Sequence, residues 1–359
     1  MIQTPPRVAG RAPLRAGPFS GVLRIRPLVA LLGSALALLA LFVLNVGMGE
    51  YQITPTEVLA TLFGGGDRGQ TVVIWELRLP RSLTALLVGG ALGLAGALTQ
   101  ALARNPLASP DMLGITAGAG AAAVAMIVFG GTSGVLTGAL AAYGLPLVAL
   151  LGGLGTGLAV YLLAYRRGVD SYRMVLVGIG LSALAGNASY WLLTVGDVND
   201  AGRAMVWLTG SLNARGWEHV TPVAVALVLL VPVALIGAHV LGALQFDEDT
   251  VRVLGVRVQL ARSALLLSAV LLASVATAAA GPIQFVALAV PQIALRLSGS
   301  ARPPLITSLV LGAALVVGAD VLSRTAFGDL EMPVGIVTAI LGAPYLIYLL
   351  IRRHREVRA

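Results

Sequence analysis

Residues 112–165 read MLGITAGAGAAAVAMIVFGGTSGVLTGALAAYGLPLVALLGGLGTGLAVYLLAY, a run of 54 residues without Asp, Glu, Lys or Arg. A helix needs about 20 apolar residues to cross a hydrocarbon core about 30 Å thick. This run is therefore long enough to cross a membrane twice. It indicates an integral membrane protein built from helices.

Charge-free runs recur along the rest of the chain. They are 27–49, 82–103, 174–196, 220–246, 263–295, 303–319 and 332–351. The run 263–295 is also long enough for two crossings, so we predict ten transmembrane helices. The expected fold class is an all-α, polytopic membrane helix bundle.

The composition supports this class and excludes several functions. Only 11% of the residues are charged, against about 25% in soluble proteins. Continuous apolar runs, rather than alternating ones, argue against a membrane β-barrel. The chain has no cysteine, and its three His are far apart in sequence, so we expect no metal site and no bound cofactor. All 24 basic residues are Arg, so a phosphate-binding loop with its Lys is absent and any ATP must be hydrolysed by another chain.

The distribution of Arg predicts the orientation. With ten crossings, 18 of the 24 Arg lie on the side of the two termini and 6 on the other side. The positive-inside rule then places both termini in the cytoplasm. We expect a disordered cytoplasmic tail at 1–26, one transmembrane domain at 27–352 and a cytoplasmic tail at 353–359; the family resemblance given below implies the inner membrane of a bacterium.

Two short helices are expected outside the membrane, on the side away from the termini. Thr54 precedes Pro55 and stands three residues before Glu57, which is the pattern of a capping box. A second short helix is expected near 202–212, in one of the longest polar stretches of the chain.

Arginines at the outer membrane boundary have two interpretations. Arg78 and Arg81 stand where the second crossing begins, and they could reach lipid headgroups or clamp the carboxylate of a partner. Asp320, Arg324 and Glu331 cluster between the last two crossings. There we expect a solvated loop with a weak salt bridge.

The cytoplasmic segment 244–256 reads LQFDEDTVRVLGV. Its acidic residues suit a helix N-terminus, and Gly255 suits a C-cap. A helix lying on the membrane would carry Arg or Lys on its polar face. We therefore expect this acid-led helix to contact a protein, through the residues Phe246, Asp247, Glu248, Val251, Leu254 and Gly255.

Small and polar residues mark a candidate pore in the fifth crossing. Ser182 and Ser189 fall near one helical face with Asn187 beside it, and Gln284 follows a Gly-Pro break farther along the chain. Such stripes are also typical of helix-packing seams, so both interpretations stay open.

Several motifs together resemble the iron-siderophore and cobalamin ABC importer permeases of the FecCD type. They are Arg78-Leu79-Pro80-Arg81, Gly96, Gln100, Arg104-Asn105-Pro106-Leu107-Ala108-Ser109-Pro110, Leu113-Gly114, Gly281-Pro282-Ile283-Gln284-Phe285-Val286 through Pro291, and Pro333-Val334-Gly335 with Thr338 and Gly342-Ala343-Pro344. The resemblance covers about residues 30–352. Within the family, 207–213 and 278–302 are most similar to ferric enterobactin permease subunits.

The resemblance implies a ten-span permease that pairs with a second permease subunit, as a heterodimer in enterobactin systems. It implies two cytoplasmic ATPase subunits, which use ATP and Mg²⁺, and an extracytoplasmic siderophore-binding protein. Residues 244–256 match the segment that couples to the ATPase. Arg78, Arg81 and Arg324 match arginines that meet acidic residues of the binding protein.

Two positions depart from the family pattern: Ala287 stands where Gly is usual, and Gln292 stands where His is usual. We expect import of a ferric siderophore, of the catecholate type. A cobalamin or haem importer is the alternative within the family. A stand-alone secondary transporter is a more distant one, because such transporters use ionisable residues inside the membrane and the predicted crossings offer only His239, near a span end.

Overall fold

The computed structural model describes residues 14–16, 19–21, 25–49, 53–132, 139–165, 171–243, 258–328 and 330–358. Nearly all of them are helical. The main helices are α1 (Ile25–Gly47), α2 (Pro55–Leu62), α3 (Arg68–Val72), α4 (Leu79–Ala103), α5 (Ile115–Thr132), α6 (Ala139–Ala164), α7 (Ser171–Val195), α8 (Val198–Leu208), α9 (Trp217–Ala243), α10 (Val258–Ala280), α11 (Val286–Ser298), α12 (Leu305–Thr325) and α13 (Val334–Arg358).

The helices agree with the predicted crossings. Among the described residues, eight helices are long and apolar enough to span a membrane, and the apolar stretches Ile115–Gly130 and Val286–Ser298 are shorter. Together these are the ten predicted crossings, in the predicted order. The all-α membrane bundle is confirmed.

The two short outer helices are also present. Thr54 caps α2, with its backbone N–H donating to the Glu57 carboxylate over 2.8 Å, so the capping box is confirmed. The second short helix is α8, which begins and ends about four residues earlier than expected. It ends before Gly210, whose φ of 72° belongs to a turn.

The chain ends carry more regular structure than the sequence suggests. Two strands, β1 (Leu14–Ala16) and β2 (Phe19–Gly21), pair antiparallel within the segment expected to be disordered. At the other end, α13 continues to Arg358, beyond the predicted boundary at 352.

Helix α4 lies at the centre of the bundle. The continuous helix Arg68–Ala103, which includes a π-helical segment at Val73–Arg78, is 83% buried over its apolar stretch, against 6% for α1. Helices α10 and α12 are the next most buried, so these three form the core. Helices α1, α7 and α9 lie at its periphery.

Glycines let α4 approach its neighbours at backbone distance. A Cβ added to Gly89 would lie 2.3 Å from the carbonyl oxygen of Gly312 in α12. A Cβ added to Gly96 would lie 1.9 Å from the carbonyl oxygen of Ala287 in α11. Small residues at helix contacts are typical of membrane bundles, in which van der Waals packing holds the helices together.

A glycine-rich junction joins three family motifs. A Cβ on Gly210 would lie 2.2 Å from the Pro282 carbonyl oxygen, and a Cβ on Gly335 would lie 2.0 Å from that of Thr209. The Gly335 N–H donates to the Gly210 carbonyl over 3.0 Å. The turn after α8, the break between α10 and α11 and the start of α13 therefore meet at one end of the bundle.

Candidate functional site

One end of the bundle gathers the three arginines that the sequence singles out. We call it the arginine end, defined by Arg78, Arg81 and Arg324. Arg78 and Arg81 stand where the long helix passes from its π-helical segment into α4, and Arg324 lies in the last turn of α12. The end of α1 and the loop before α13 complete this surface.

A fully buried carboxylate, Asp320, holds two of these arginines. Nε and one terminal nitrogen of Arg81 donate to its Oδ1 over 3.1 and 2.8 Å. Arg324 lies 3.3 Å from its Oδ2, and the Asn45 amide donates to the same oxygen over 2.9 Å. The expectation of a solvated loop with a weak salt bridge is therefore wrong for Asp320, because α1, α4 and α12 enclose it.

Arginines also complete the C-terminal end of α1. Arg78 donates to the carbonyls of Val46 and Gly47 over 3.0 and 2.9 Å, and Arg324 donates to those of Asn45 and Met48. The last carbonyls of a helix have no partner within the helix and carry the negative end of its dipole. Both arginines thus stabilise the end of a helix that contributes little to the core.

Arg81 also contacts a second carboxylate, that of Glu331, which is more exposed than that of Asp320. Its other terminal nitrogen lies 2.7 Å from Oε1 of Glu331, in the loop before α13. The Glu331 side chain is 40% exposed, whereas that of Asp320 is fully buried. The arginine therefore bridges one enclosed and one accessible carboxylate.

Two clefts open beside these groups. The larger has a volume of about 1270 Å³ and is lined by all three arginines together with Glu76, Glu218 and Glu331. The smaller has a volume of about 720 Å³ and lies against α8 and the start of α13. Both clefts are lined by Arg81, Asn213, Ala214, Arg215 and Glu331.

Polar residues that follow α8 form another part of the cleft lining. Arg215 donates to the Ser211 carbonyl over 3.3 Å, and one of its terminal nitrogens lies 3.0 Å from Nε2 of His219. The other ring nitrogen of His219 lies 3.1 Å from a Glu218 oxygen. Burial lowers the pKa of Arg215, which the neighbouring Glu218 partly offsets. The hydrogen bonds of Arg215 to Ser211 and His219 hold the loop that follows α8.

The smaller cleft combines cationic and aromatic groups that sequence reasoning did not assemble. Arg203, Arg215 and Trp207 line it, with Ile127 and Met332. The Arg203 side chain is 63% exposed and pairs with Asp200 in the same helix. The available signal was the Trp and Arg content of the polar stretch near 202–215.

The candidate pore residues occupy two kinds of environment. Ser182 packs near Gly114 and donates to its own helix at the Gly178 carbonyl, and Ser189 is buried and donates to Ala185 in the same way. Asn187 and Gln284 are exposed. The first two positions suit helix packing, and the last two offer polar atoms at the surface of the chain. A pore role stays a prediction.

The predicted coupling residues lie outside the described residues. They are Phe246, Asp247, Glu248, Val251, Leu254 and Gly255. The described chain ends at Ala243, in the last turn of α9, and resumes at Val258, the first residue of α10.

The two departures from the family pattern lie at one buried contact between α4 and α11. Gln292 donates to the Gln100 side-chain oxygen over 2.6 Å, and Gln100 donates to the Leu288 carbonyl over 2.9 Å. Ala287 is buried where its carbonyl faces Gly96. The amide at Gln292 thus satisfies a buried partner.

The described residues contain no group of three or more His, Asp or Glu that could hold a metal ion. The chemistry available at the arginine end is instead recognition of anions, since guanidinium groups donate in a fixed planar geometry that matches carboxylates. Catalytic nucleophiles and bases were not predicted from the sequence. Arg81 and Arg324 are paired with the carboxylates described above, and Arg78 donates to the carbonyls at the end of α1.

Comparison with known proteins gives a consistent match over most of the chain. Residues 37–352 match the FecCD transport family. The ferric enterobactin transport system permease protein of Escherichia coli is 40% identical over 309 residues, covering 86% of this chain and 91% of that protein. The achromobactin transport system permease protein of Dickeya dadantii is 40% identical over 344 residues, covering 94% and 96%.

A solved structure matches as well. It is described as an inward-facing conformation of a metal-chelate type ABC transporter. Its chain is 30% identical, with a TM-score of 0.77, and the match covers 90% of this chain and 98% of that one. Sequence and fold therefore point to the same group of proteins.

Proposed function

The chain belongs to the FecCD transport family, and from that premise we propose that it carries a ferric siderophore of the catecholate type into the cytoplasm. Its place as a permease subunit of an iron-siderophore ABC importer follows from the family and the relatives. The identity of the transported chelate goes beyond the family assignment, since the relatives named above serve different siderophores.

The smaller cleft is the observation that supports a catecholate most strongly. Iron held by three catecholates is an anion with aromatic rings on its surface. Guanidinium groups pair with such anions and stack on aromatic faces. Arg203 and Arg215 place two such groups at one cleft of about 720 Å³, and Trp207, which is buried in the apolar core, supports its wall.

Delivery of the chelate requires a partner outside the membrane. We place the arginine end on the extracytoplasmic side, in accordance with the Arg distribution. An extracytoplasmic siderophore-binding protein would dock there, with its carboxylates directed at Arg78, Arg81 and Arg324. Charge complementarity of this kind sets orientation and association rate more than affinity, so docking should weaken as salt is raised.

The driving force enters from the opposite side. Two cytoplasmic ATPase subunits would bind the segment 244–256 and hydrolyse ATP with Mg²⁺, since this sequence has no Lys and no phosphate-binding loop. Leu254→Asp or Gly255→Pro should uncouple transport while the chain still folds. Unchanged uptake in both variants would refute the assignment of the coupling segment.

A second permease subunit completes the path, and we propose that it is a different chain. Asn187 and Gln284 would line the path between the two subunits, because both are exposed here. Co-purification tests the pairing: a tagged copy of this chain should bring down a different permease chain. Recovery of an untagged copy of the same chain would show a homodimer.

The chelate is tested by uptake in a strain that lacks its own permease and receives this chain with its genetic neighbours. Radioactive iron would be supplied as a ferric catecholate siderophore, as a ferric hydroxamate or as haem, and labelled cobalamin would be supplied in parallel. We expect uptake of the catecholate alone, abolished when the ATPase subunit is inactivated. Uptake of cobalamin or haem instead would contradict the proposal, and uptake that survives ATPase inactivation would favour a secondary transporter.

A further inference from the structure

The Arg81–Glu331 ion pair lies between the two clefts of the arginine end. Both clefts are lined by these two residues on one side and by the loop Asn213–Arg215 on the other. The contact between the side chains, at 2.7 Å, is part of the wall that separates a volume of about 1270 Å³ from one of about 720 Å³.

The two carboxylates on Arg81 are held very differently. Asp320 is fully buried, and both of its oxygens accept bonds, from Arg81, Arg324 and Asn45. Glu331 contacts Arg81 through one oxygen only, from a side chain that is 40% exposed. Removing Asp320 would leave buried cations uncompensated, whereas losing the partly exposed Glu331 leaves Arg81 paired with Asp320. Only the Glu331 contact can be exchanged at small cost.

We propose that Glu331 is a built-in placeholder: it occupies Arg81 until a carboxylate of a docking protein takes its place. The exchange keeps Arg81 paired throughout, and it releases the Glu331 side chain from α4. The two clefts then become continuous, so that docking itself opens the way from the larger cleft to the Arg- and Trp-lined one. The inference rests on the proposed docking at the arginine end and adds its regulation.

The loop geometry is compatible with such a release. Glu331 follows Gly328, whose φ of 65° marks a turn, and precedes Pro333 at the start of α13. The described backbone of this loop is tied to α12 by the bond from the Met332 N–H to the Ser323 carbonyl, at 3.1 Å. That bond does not involve the Glu331 side chain, so the side chain can leave Arg81 while the loop stays attached.

The test uses a hexaglutamate peptide as the carboxylate probe and the full chain in lipid nanodiscs. We expect Glu331→Gln to bind the peptide about two- to fivefold more tightly than the native chain, the gain from removing one partly exposed competing carboxylate. Arg81→Gln should bind more weakly than the native chain. Hexaglutamine should show no difference between the variants.

Glu76→Gln is the matched control. Glu76 lines the same larger cleft and is exposed, but it is not among the ion-pair partners of Arg81. The Glu76→Gln variant loses the same charge as Glu331→Gln, so it measures the effect of net charge alone on peptide binding. Screening keeps that effect small at physiological salt. An equal gain in both Glu→Gln variants would overturn the proposal.

Two further results would also overturn it: no gain in Glu331→Gln, or no binding of hexaglutamate by any variant. Size-exclusion profiles show whether each variant is folded before it is scored. The peptide assay needs no transport and no siderophore, so failure of the proposed chelate leaves its outcome unaffected. Conversely, a negative result in the peptide assay would refute the role of Glu331 and would leave the proposal of ferric siderophore uptake untouched.

Discussion

Replacing Asp320 by Asn should destabilise the bundle far more than replacing Glu331 by Gln. The first change removes a fully buried charge that two arginines and Asn45 share. Breaking a buried pair in this way costs about 3–5 kcal/mol. We expect the lower end, about 3 kcal/mol, because Arg81 keeps Glu331 and Arg324 keeps two carbonyls.

The Glu331 change removes a partly exposed partner of the same arginine, for which about 0.2–1 kcal/mol is typical. The assay is reversible unfolding of the purified chain in mixed micelles, followed by far-ultraviolet circular dichroism. The pair Asp320→Asn with Arg81→Gln should cost less than the sum of the two single changes, since contacting residues couple. Equal losses for the two carboxylate variants would refute the placement of Asp320 in the core of the site.

Two other predictions concern the contact between α4 and α11. Gly96→Ala should cost at least about 1–3 kcal/mol of unfolding free energy, because its Cβ would meet the Ala287 carbonyl oxygen at 1.9 Å. Gly186→Ala is the control: no atom lies within 4 Å of the added Cβ, so the change should be neutral or slightly stabilising. Thermal unfolding in detergent compares the two variants, and equal effects would contradict the packing. Gln292→Leu should cost about 1–3 kcal/mol by leaving the Gln100 oxygen unsatisfied, and Gln292→His, by the same measurement, should recover part of that loss if the ring can donate to Gln100.

The helices could be predicted because their signals are local. A charge-free run of about 20 residues specifies a crossing wherever it occurs, and the capping box of Thr54 and Glu57 lies within four residues of sequence. The run at 112–165 divides into α5 and α6 as its length suggests. The crossings and the cap of α2 were therefore assigned correctly without knowledge of the bundle.

The arginine end could not be predicted in the same way, because its contacts join distant parts of the chain. Asp320 was interpreted from its position beside a loop, but Asn45 and Arg81 enclose it from α1 and α4. Arg78 bonds carbonyls about 30 residues earlier in the chain. The motif containing Arg78 and Arg81 was recognisable, whereas their pairing partners required the fold.

The same limit applies to the clefts. Trp207 and Arg215 were part of a polar stretch with no visible ligand pattern, and Glu331 was one member of a charged loop. Their shared cleft arises because the turn after α8 packs on the break at Gly281 and on the start of α13. That junction depends on glycines whose role is steric, and a sequence shows their presence but not their neighbours.

Reconstituted transport tests the central claim most directly. Proteoliposomes would contain this chain with its second permease and ATPase subunits, and the ferric catecholate would be supplied outside on its binding protein. The account predicts accumulation of iron in the lumen only when the ATPase subunits are present and ATP with Mg²⁺ is on their side of the membrane. Accumulation by this chain without ATPase subunits, or none under the complete conditions, would contradict it.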